Sequence, residues 1–212
     1  NDFDVFARRF ASTGTALGSA FRVSTYTNGA QVISSVAMNA TGSFVIAWNS
    51  LGQTGTGNWS IYAQRYASTG ARLGGELQVS TETSYWDSLI SVALASNGSF
   101  VITWSTDNTG VVPSALPYVL ARSYTASGAP VGAPFAVGTT TDKSTNSARA
   151  AMDPEGNAFI AWSQYDTTDS DVFMRRFMPI GTVAQALPNP AQLSGLSGAA
   201  GSWQFFKITV PA

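Results

Sequence analysis

The residues of this chain that could carry acid–base or binding chemistry are few, and their spacing is loose. Asp166, Asp169 and Asp171 lie close together ahead of a short aromatic segment, and Asp2 and Asp4 hold the matching place near the start. Closely spaced carboxylates are the oxygen-rich pattern that suits Ca2+. The corresponding positions elsewhere are Trp59 and Ser60, then Pro117 and Tyr118, so the set does not recur. Ca2+ at Asp166, Asp169 and Asp171 is the one cofactor reading that remains, against a solvated acidic loop. A glycosidase needs two carboxylates opposed across a pocket, about 5 to 9.5 Å apart, and no such pair can be placed. The chain has no His and no Cys. That removes serine–histidine and cysteine–histidine catalysis, disulfides and the commonest metal ligands. The expectation is that the chain is not an enzyme.

The aromatic residues offer more. Trp59, Tyr85, Trp86 and Tyr118 fall in expected loops among Asn, Ser, Thr and Gly. Flat rings with small polar neighbours suit the stacking and hydrogen bonding of sugars. The same rings would serve equally well to cover seams between structural units or to contact other subunits.

The elements that position these residues are repeated. Gly42-Ser43-Phe44-Val45-Ile46-Ala47-Trp48 returns as Gly98–Trp104 and as Gly156–Trp162. A second series runs in step with it: Val5–Phe10, Ile61–Tyr66, Val119–Tyr124 and Val172–Phe177. Two registers moving together mark duplicated units. Alternation over residues 3–10 reads as a strand. A Ser-Thr-Gly turn and a further strand over 20–25 follow, and the pair recurs at 61–81 and 119–138. The other pair runs from Ser35–Met38 through Asn39-Ala40-Thr41-Gly42 to Phe44–Trp48, with equivalents at 91–104 and 148–162. Asp153-Pro154-Glu155-Gly156 reads as a type I turn closed by Gly. Gly14, Gly70, Gly128 and Gly181 hold one position, where a turn requires positive φ.

Each unit therefore has four strands, a to d, and the fold class is all-β, with four-stranded antiparallel blades like those of a β-propeller. A stacked solenoid of such sheets is the alternative. Val45, Ala47, Val101, Thr103, Phe159 and Ala161 are expected on one buried face, with Phe44, Ile46, Trp48 and their equivalents facing the next blade. The units lie near 1–25, 26–81, 82–138 and 139–187, making a repeat domain over 1–187. Residues 188–212 form a Gly/Ser/Ala linker and an aromatic strand. About three and a half blades fall short of the four to eight of closed propellers. The arc is expected to be completed by self-association through its open edges, as a ring of two copies or a head-to-tail filament, with completion by further residues of a longer chain as the alternative. Phe3 and Val5 on the first strand, with Trp203, Phe205, Phe206, Ile208 and Val210 in the tail, are the candidate assembly residues.

Charged residues make up 11% of the 212, and the net charge is −1. That gives no electrostatic case for nucleic acid or an anionic membrane. No apolar run approaches the ~20 residues of a spanning helix. A Gly/Ser/Thr-rich surface with so little charge is the composition of an exported β-protein.

The repeat, with Gly-Ser-Phe-Val-Ile-Ala-Trp, Ile-Tyr-Ala-Gln-Arg-Tyr and Leu-Gly-Gly-Glu-Leu-Gln-Val-Ser-Thr, resembles tandem repeats of large secreted bacterial proteins. The resemblance covers residues 3–187 and implies a propeller-like surface or exported protein. The tail Gly195–Ala212 is similar to the opening of bacterial pre-peptidase C-terminal domains, β-sandwich modules attached to secreted enzymes. The first functional expectation is a non-catalytic extracellular structural or adhesive protein, on the bacterial cell surface or secreted, whose partners are copies of itself. The alternatives are a lectin-like propeller module binding glycans and an accessory domain of a secreted hydrolase.

Overall fold

The computed structural model describes residues 3–55, 57–80, 87–106, 118–137, 144–165 and 170–177. They form four antiparallel sheets. The first pairs β1 (Phe6–Ala7) with β2 (Phe21–Arg22). The second has the order β3 (Gln31–Met38), β4 (Phe44–Leu51), β5 (Trp59–Tyr66) and β6 (Leu77–Gln78). The third repeats it with β7 (Asp87–Leu94), β8 (Phe100–Thr106), β9 (Tyr118–Tyr124) and β10 (Phe135–Ala136). The fourth contains β11 (Ser144–Met152), β12 (Ala158–Tyr165) and β13 (Ser170–Phe177). There is no helix among the described residues.

Strand lengths differ from those expected. The first strand, expected over 3–10, is reduced to Phe6–Ala7, with Phe10 held only by a bridge to Ala16. The outer strands, expected over 20–25, 76–81 and 134–138, keep two paired residues each. An outer strand has one neighbour, so its ladder ends where that neighbour's free backbone groups end. The inner strands are longer than expected. Each carries a bulge, between Val32 and Ser35, Ser88 and Ser91, and Asn146 and Arg149. Ile33 (φ 51), Leu89 (φ 53) and Ser147 (φ 55) sit at these bulges in the left-handed region. The extra residue interrupts the period-two alternation, so only the stretch after each bulge is legible as a strand.

The sheets pack large side chains against small ones. Phe44, Ile46 and Trp48 meet Val5 and Val23 of the first sheet. On the opposite face of β4, Val45 and Ala47 receive Phe100, Ile102 and Trp104. Val101 and Ala121 receive Ile160 and Trp162 in turn. Trp48, Trp104 and Trp162 are all core residues, as expected. The alternation along each central strand supplies both faces: wide residues toward the preceding sheet, narrow ones toward the next. Phe159 and Ala161, expected to be buried, are only partly covered, because they lie on the outer face of the last described sheet. Val5, expected on an assembly surface, is instead a core residue, whereas Phe3 is exposed.

Arginines tie the seams. Arg9 Nη1 donates to the Ser68 carbonyl at 2.5 Å, and Arg65 Nη1 to the Ala126 carbonyl at 2.6 Å. Each reaches the turn of the following sheet, beside Gly70 and Gly128. A Cβ built on Gly128 would lie 2.5 Å from Arg65 Nε, and φ there is +88. Glycine is therefore required twice over, for the turn and for the guanidinium lying against it. Near the outer edge, Arg72 Nη2 donates to the Val23 carbonyl and Arg122 Nη1 to that of Val79. At the inner strands, the Val92 amide donates to Ser35 Oγ at 3.3 Å and the Ala150 amide to Ser91 Oγ at 3.1 Å.

Candidate functional site

Strand direction gives the two rims different characters. At one rim the connections are tight turns, each closed by a glycine amide: Gly42 N–H to Asn39 O at 2.9 Å, Gly98 to Ala95 at 3.0 Å, Gly156 to Asp153 at 3.1 Å. These turns leave little surface for a ligand. At the other rim lie the connections from β2 to β3, from β4 to β5 and from β8 to β9, which are longer. Loops held by a rigid sheet can vary without disturbing the core, so this rim is the candidate.

Trp59 stands at this rim, but not in a loop. It is the first residue of β5, paired with Leu51, and it is half-buried. Tyr118 is likewise the first residue of β9, paired with Thr106. The same strand end thus presents an aromatic residue in two successive sheets. Tyr85 and Trp86 lie outside the described residues.

The loops beside Trp59 are fastened to each other. The Leu51 amide donates to the Ala30 carbonyl at 2.9 Å, and the Tyr26 hydroxyl to the Gly52 carbonyl at 3.1 Å. Gln31 Nε2 donates to the Gly29 carbonyl at 2.8 Å. A side chain at Gly29 would collide with the Leu51 carbonyl, 2.5 Å from its Cβ, at a φ of +72. Within the β4–β5 connection, Gly52 N–H bonds Asn58 O at 3.0 Å and Gly55 N–H bonds Gly52 O at 2.9 Å. These bonds fix the backbone of the connection that leads into Trp59.

Glu76 is already committed. Gln53 Nε2 donates to it at 2.9 Å, the Thr25 amide donates to its other oxygen, and Arg72 stands 3.9 Å away. The carboxylate joins the first sheet to the second. Burial, then the charge of Glu76 and the nearby Tyr26, push the Tyr62 phenol above its ordinary pKa. Burial likewise raises Tyr66, with Arg72 opposing and Glu76 adding to the effect. Of the calcium candidates, Asp171 is exposed on β13 opposite Gln164, and Asp166 and Asp169 lie outside the described residues. Among the described residues no three acidic, His or Cys side chains are grouped for a metal. Trp203, Phe205, Phe206, Ile208 and Val210 lie outside the described residues as well.

A second concavity lies at the start of the arc. It is a groove of about 590 Å3 between β1 and the face of β3 and β4, lined by Val5, Ala7, Val36, Met38, Phe44 and Ile46 among others. No carboxylate lines it, so it offers no acid–base pair. The sequence pointed to an open edge at the first strand, but the groove's lining carries no motif that would have located it.

No protein-family profile matches the chain, and no curated protein does. Solved structures do share its fold. A Hadza microbial sialidase matches at a TM-score of 0.51 and 11% identity, over 72% of this chain and 36% of that one. The endo-arabinase from Bacteroides thetaiotaomicron VPI-5482 matches at 0.47 and 13%, over 80% and 63%. The alpha-L-arabinofuranosidase from Lactobacillus brevis matches at 0.47 and 11%, over 84% and 60%. The chain thus spans from about a third to under two thirds of the length of these structures. The expected architecture holds: all-β, four-stranded antiparallel sheets, part of a propeller. Two expectations are overturned by the same finding, because the fold's solved neighbours bear the names of carbohydrate-acting enzymes. A non-catalytic structural or adhesive protein that assembles with itself is not supported, and neither is the exclusion of an enzyme.

Proposed function

We propose that this chain is the glycan-binding part of a carbohydrate-active β-propeller, with the ligand held at the long-loop rim. The observation that carries the reading is the placement of Trp59: an indole at a strand end, flanked by loops whose backbones are fixed to each other. A sugar ring stacking on that indole would find the polar side chains of Gln53, Thr54 and Asn58 along the same connection. The carbohydrate-acting name of the sialidase that shares the fold supports the ligand class, and an extracellular bacterial setting agrees with the low charge. The test is a glycan array followed by calorimetry on the strongest hit. Trp59→Ala is expected to weaken binding by about ten-fold or more, the usual effect of removing a stacking aromatic. A chain that binds no glycan, or an unchanged affinity in Trp59→Ala, would sink the proposal.

A further inference from the structure

The chain carries the Asn-Gly dipeptide twice, as Asn28-Gly29 and Asn97-Gly98, and the fold treats the two copies oppositely. In Asn-Gly the backbone nitrogen of the second residue can attack the side-chain carbonyl carbon of the first, because glycine has no Cβ to hinder the approach. At Asn97 the fold holds the reacting groups apart. The Gly98 amide donates to the Ala95 carbonyl at 3.0 Å. Asn97 Oδ1 accepts from the Ser99 amide at 2.9 Å and from the Ser99 hydroxyl at 2.7 Å, so the side chain is turned toward the second residue beyond it. A Cβ on Gly98 would stand 3.0 Å from the Ala126 Cβ, so the next sheet packs close against this glycine. Attack by the Gly98 nitrogen would require these hydrogen bonds to break first. Asn28 is different. It is exposed, on the connection from β2 to β3. Among the described residues neither its side-chain amide nor the Gly29 amide has a hydrogen-bond partner. The two residues are held through their backbone carbonyls, which accept from Gln31 Nε2 at 3.4 and 2.8 Å.

From this we infer that Asn28 is a site of spontaneous deamidation, converting to isoaspartate in the folded protein, and that Asn97 is protected. The Gly29 nitrogen loses its proton to hydroxide and attacks Asn28 Cγ. The bond from Cγ to the side-chain nitrogen breaks, and that nitrogen takes a proton from water and leaves as ammonia, returning the hydroxide. A succinimide ring remains. Water opens it at one carbonyl or the other, giving aspartate or isoaspartate. No atom changes oxidation state, and water is the sole co-reactant. In isoaspartate the main chain runs through Cβ and Cγ and is longer by one methylene just ahead of Gly29. The fold has no room for that shift, since a Cβ on Gly29 would already lie 2.5 Å from the Leu51 carbonyl oxygen. Gly29 must withdraw. The bond from the Leu51 amide to the neighbouring Ala30 carbonyl, and the Gln31 bond to Gly29, are then strained or lost. The reaction thus loosens the β2–β3 connection from the β4–β5 connection.

The test incubates the full chain at mildly alkaline pH and follows each asparagine by digestion and tandem mass spectrometry. Asn28 is expected to convert about ten-fold or more faster than Asn97, because every hydrogen bond that must break at Asn97 adds to its barrier. In concentrated urea the two rates should converge, because the dipeptides are identical. Methyl transfer by an isoaspartate-specific methyltransferase should label the aged chain at position 28. The aged chain should also unfold at a lower urea midpoint. Asn28→Gln should keep its midpoint through the same incubation. Freshly prepared Asn28→Asp, which carries the new charge on an unaltered backbone, should match the parent. The side chain replaced in both variants is exposed and unpartnered, so both keep the fold. Equal conversion of Asn28 and Asn97 in the folded chain overturns the inference, as does an Asn28 that reacts in urea alone. A midpoint that falls equally in Asn28→Gln overturns the loosening of the rim.

Discussion

Among the described residues, the second and third seams differ in the guanidinium groups that cross them. Both bury a tryptophan, and both pair an inner-strand amide with a serine hydroxyl across the seam. The second seam adds Arg65 reaching Ala126 and Arg122 reaching Val79. At the third seam the equivalent residue is Ser123, which carries no guanidinium. Apolar filling is thus common to both, and the guanidinium clasp belongs to one. Seam cohesion rests on shape, and the clasps adjust it.

The comparison breaks most readily at the core. Trp104→Ala empties the second seam, and a loss of about 3–5 kcal/mol is expected from a fully buried large residue; urea unfolding will measure it. A loss below about 1 kcal/mol would place the cohesion elsewhere. Gly128→Ala should cost about 2 kcal/mol, combining positive-φ strain with displacement of Arg65. Gly14→Ala carries the strain without the collision, since nothing lies within 4 Å of its Cβ, and should cost about half as much. Equal losses would show that the guanidinium moves aside freely. Arg65→Ala should cost about 1 kcal/mol, a charge-assisted bond at an exposed site. Ser123→Ala should cost close to nothing, and a matching loss at both positions would erase the distinction between the seams.

The smallest effect at neutral pH is expected from Tyr66→Phe, because the buried Tyr66 hydroxyl has no hydrogen-bond partner among the described residues. Its phenol pKa is raised in the folded state, chiefly by burial, as is that of Tyr62. A raised pKa means that the folded protein holds the proton more tightly. The associated stability is present below the ordinary value of 10.0 and is lost as pH climbs through the folded value. Denaturant midpoints at pH 8 and at about pH 11 should therefore fall less in Tyr66→Phe than in the parent chain. An unchanged alkaline fall would remove Tyr66 from the account.

Much of the core could be read from the chain because Phe44, Phe100 and their companions recur in period two between glycine-closed turns. The three tryptophans end their central strands and are buried as that pattern implies. The inner strands were only half legible. A bulge at Ile33, Leu89 and Ser147 inverts the alternation, and no residue type announces it, since none of the three is glycine. Trp59 and Tyr118 read as loop residues because a strand end facing long polar connections looks like loop in composition. An open edge at the first strand was legible from the unit count, but the groove beside β1 was not, because its walls are ordinary repeat residues with no motif of their own.

Each of the three apolar clusters draws its members from two adjacent sheets and no others. A fluctuation in one sheet is therefore felt by its neighbours and only weakly beyond. Such a molecule behaves as a short linear array of coupled links, each with its own stability and a coupling to the next. Opening begins at the two ends and travels inward. The amides of β8, in the third sheet with a filled seam on either side, should be among the last to exchange with solvent, and those of β1 and β13 among the first.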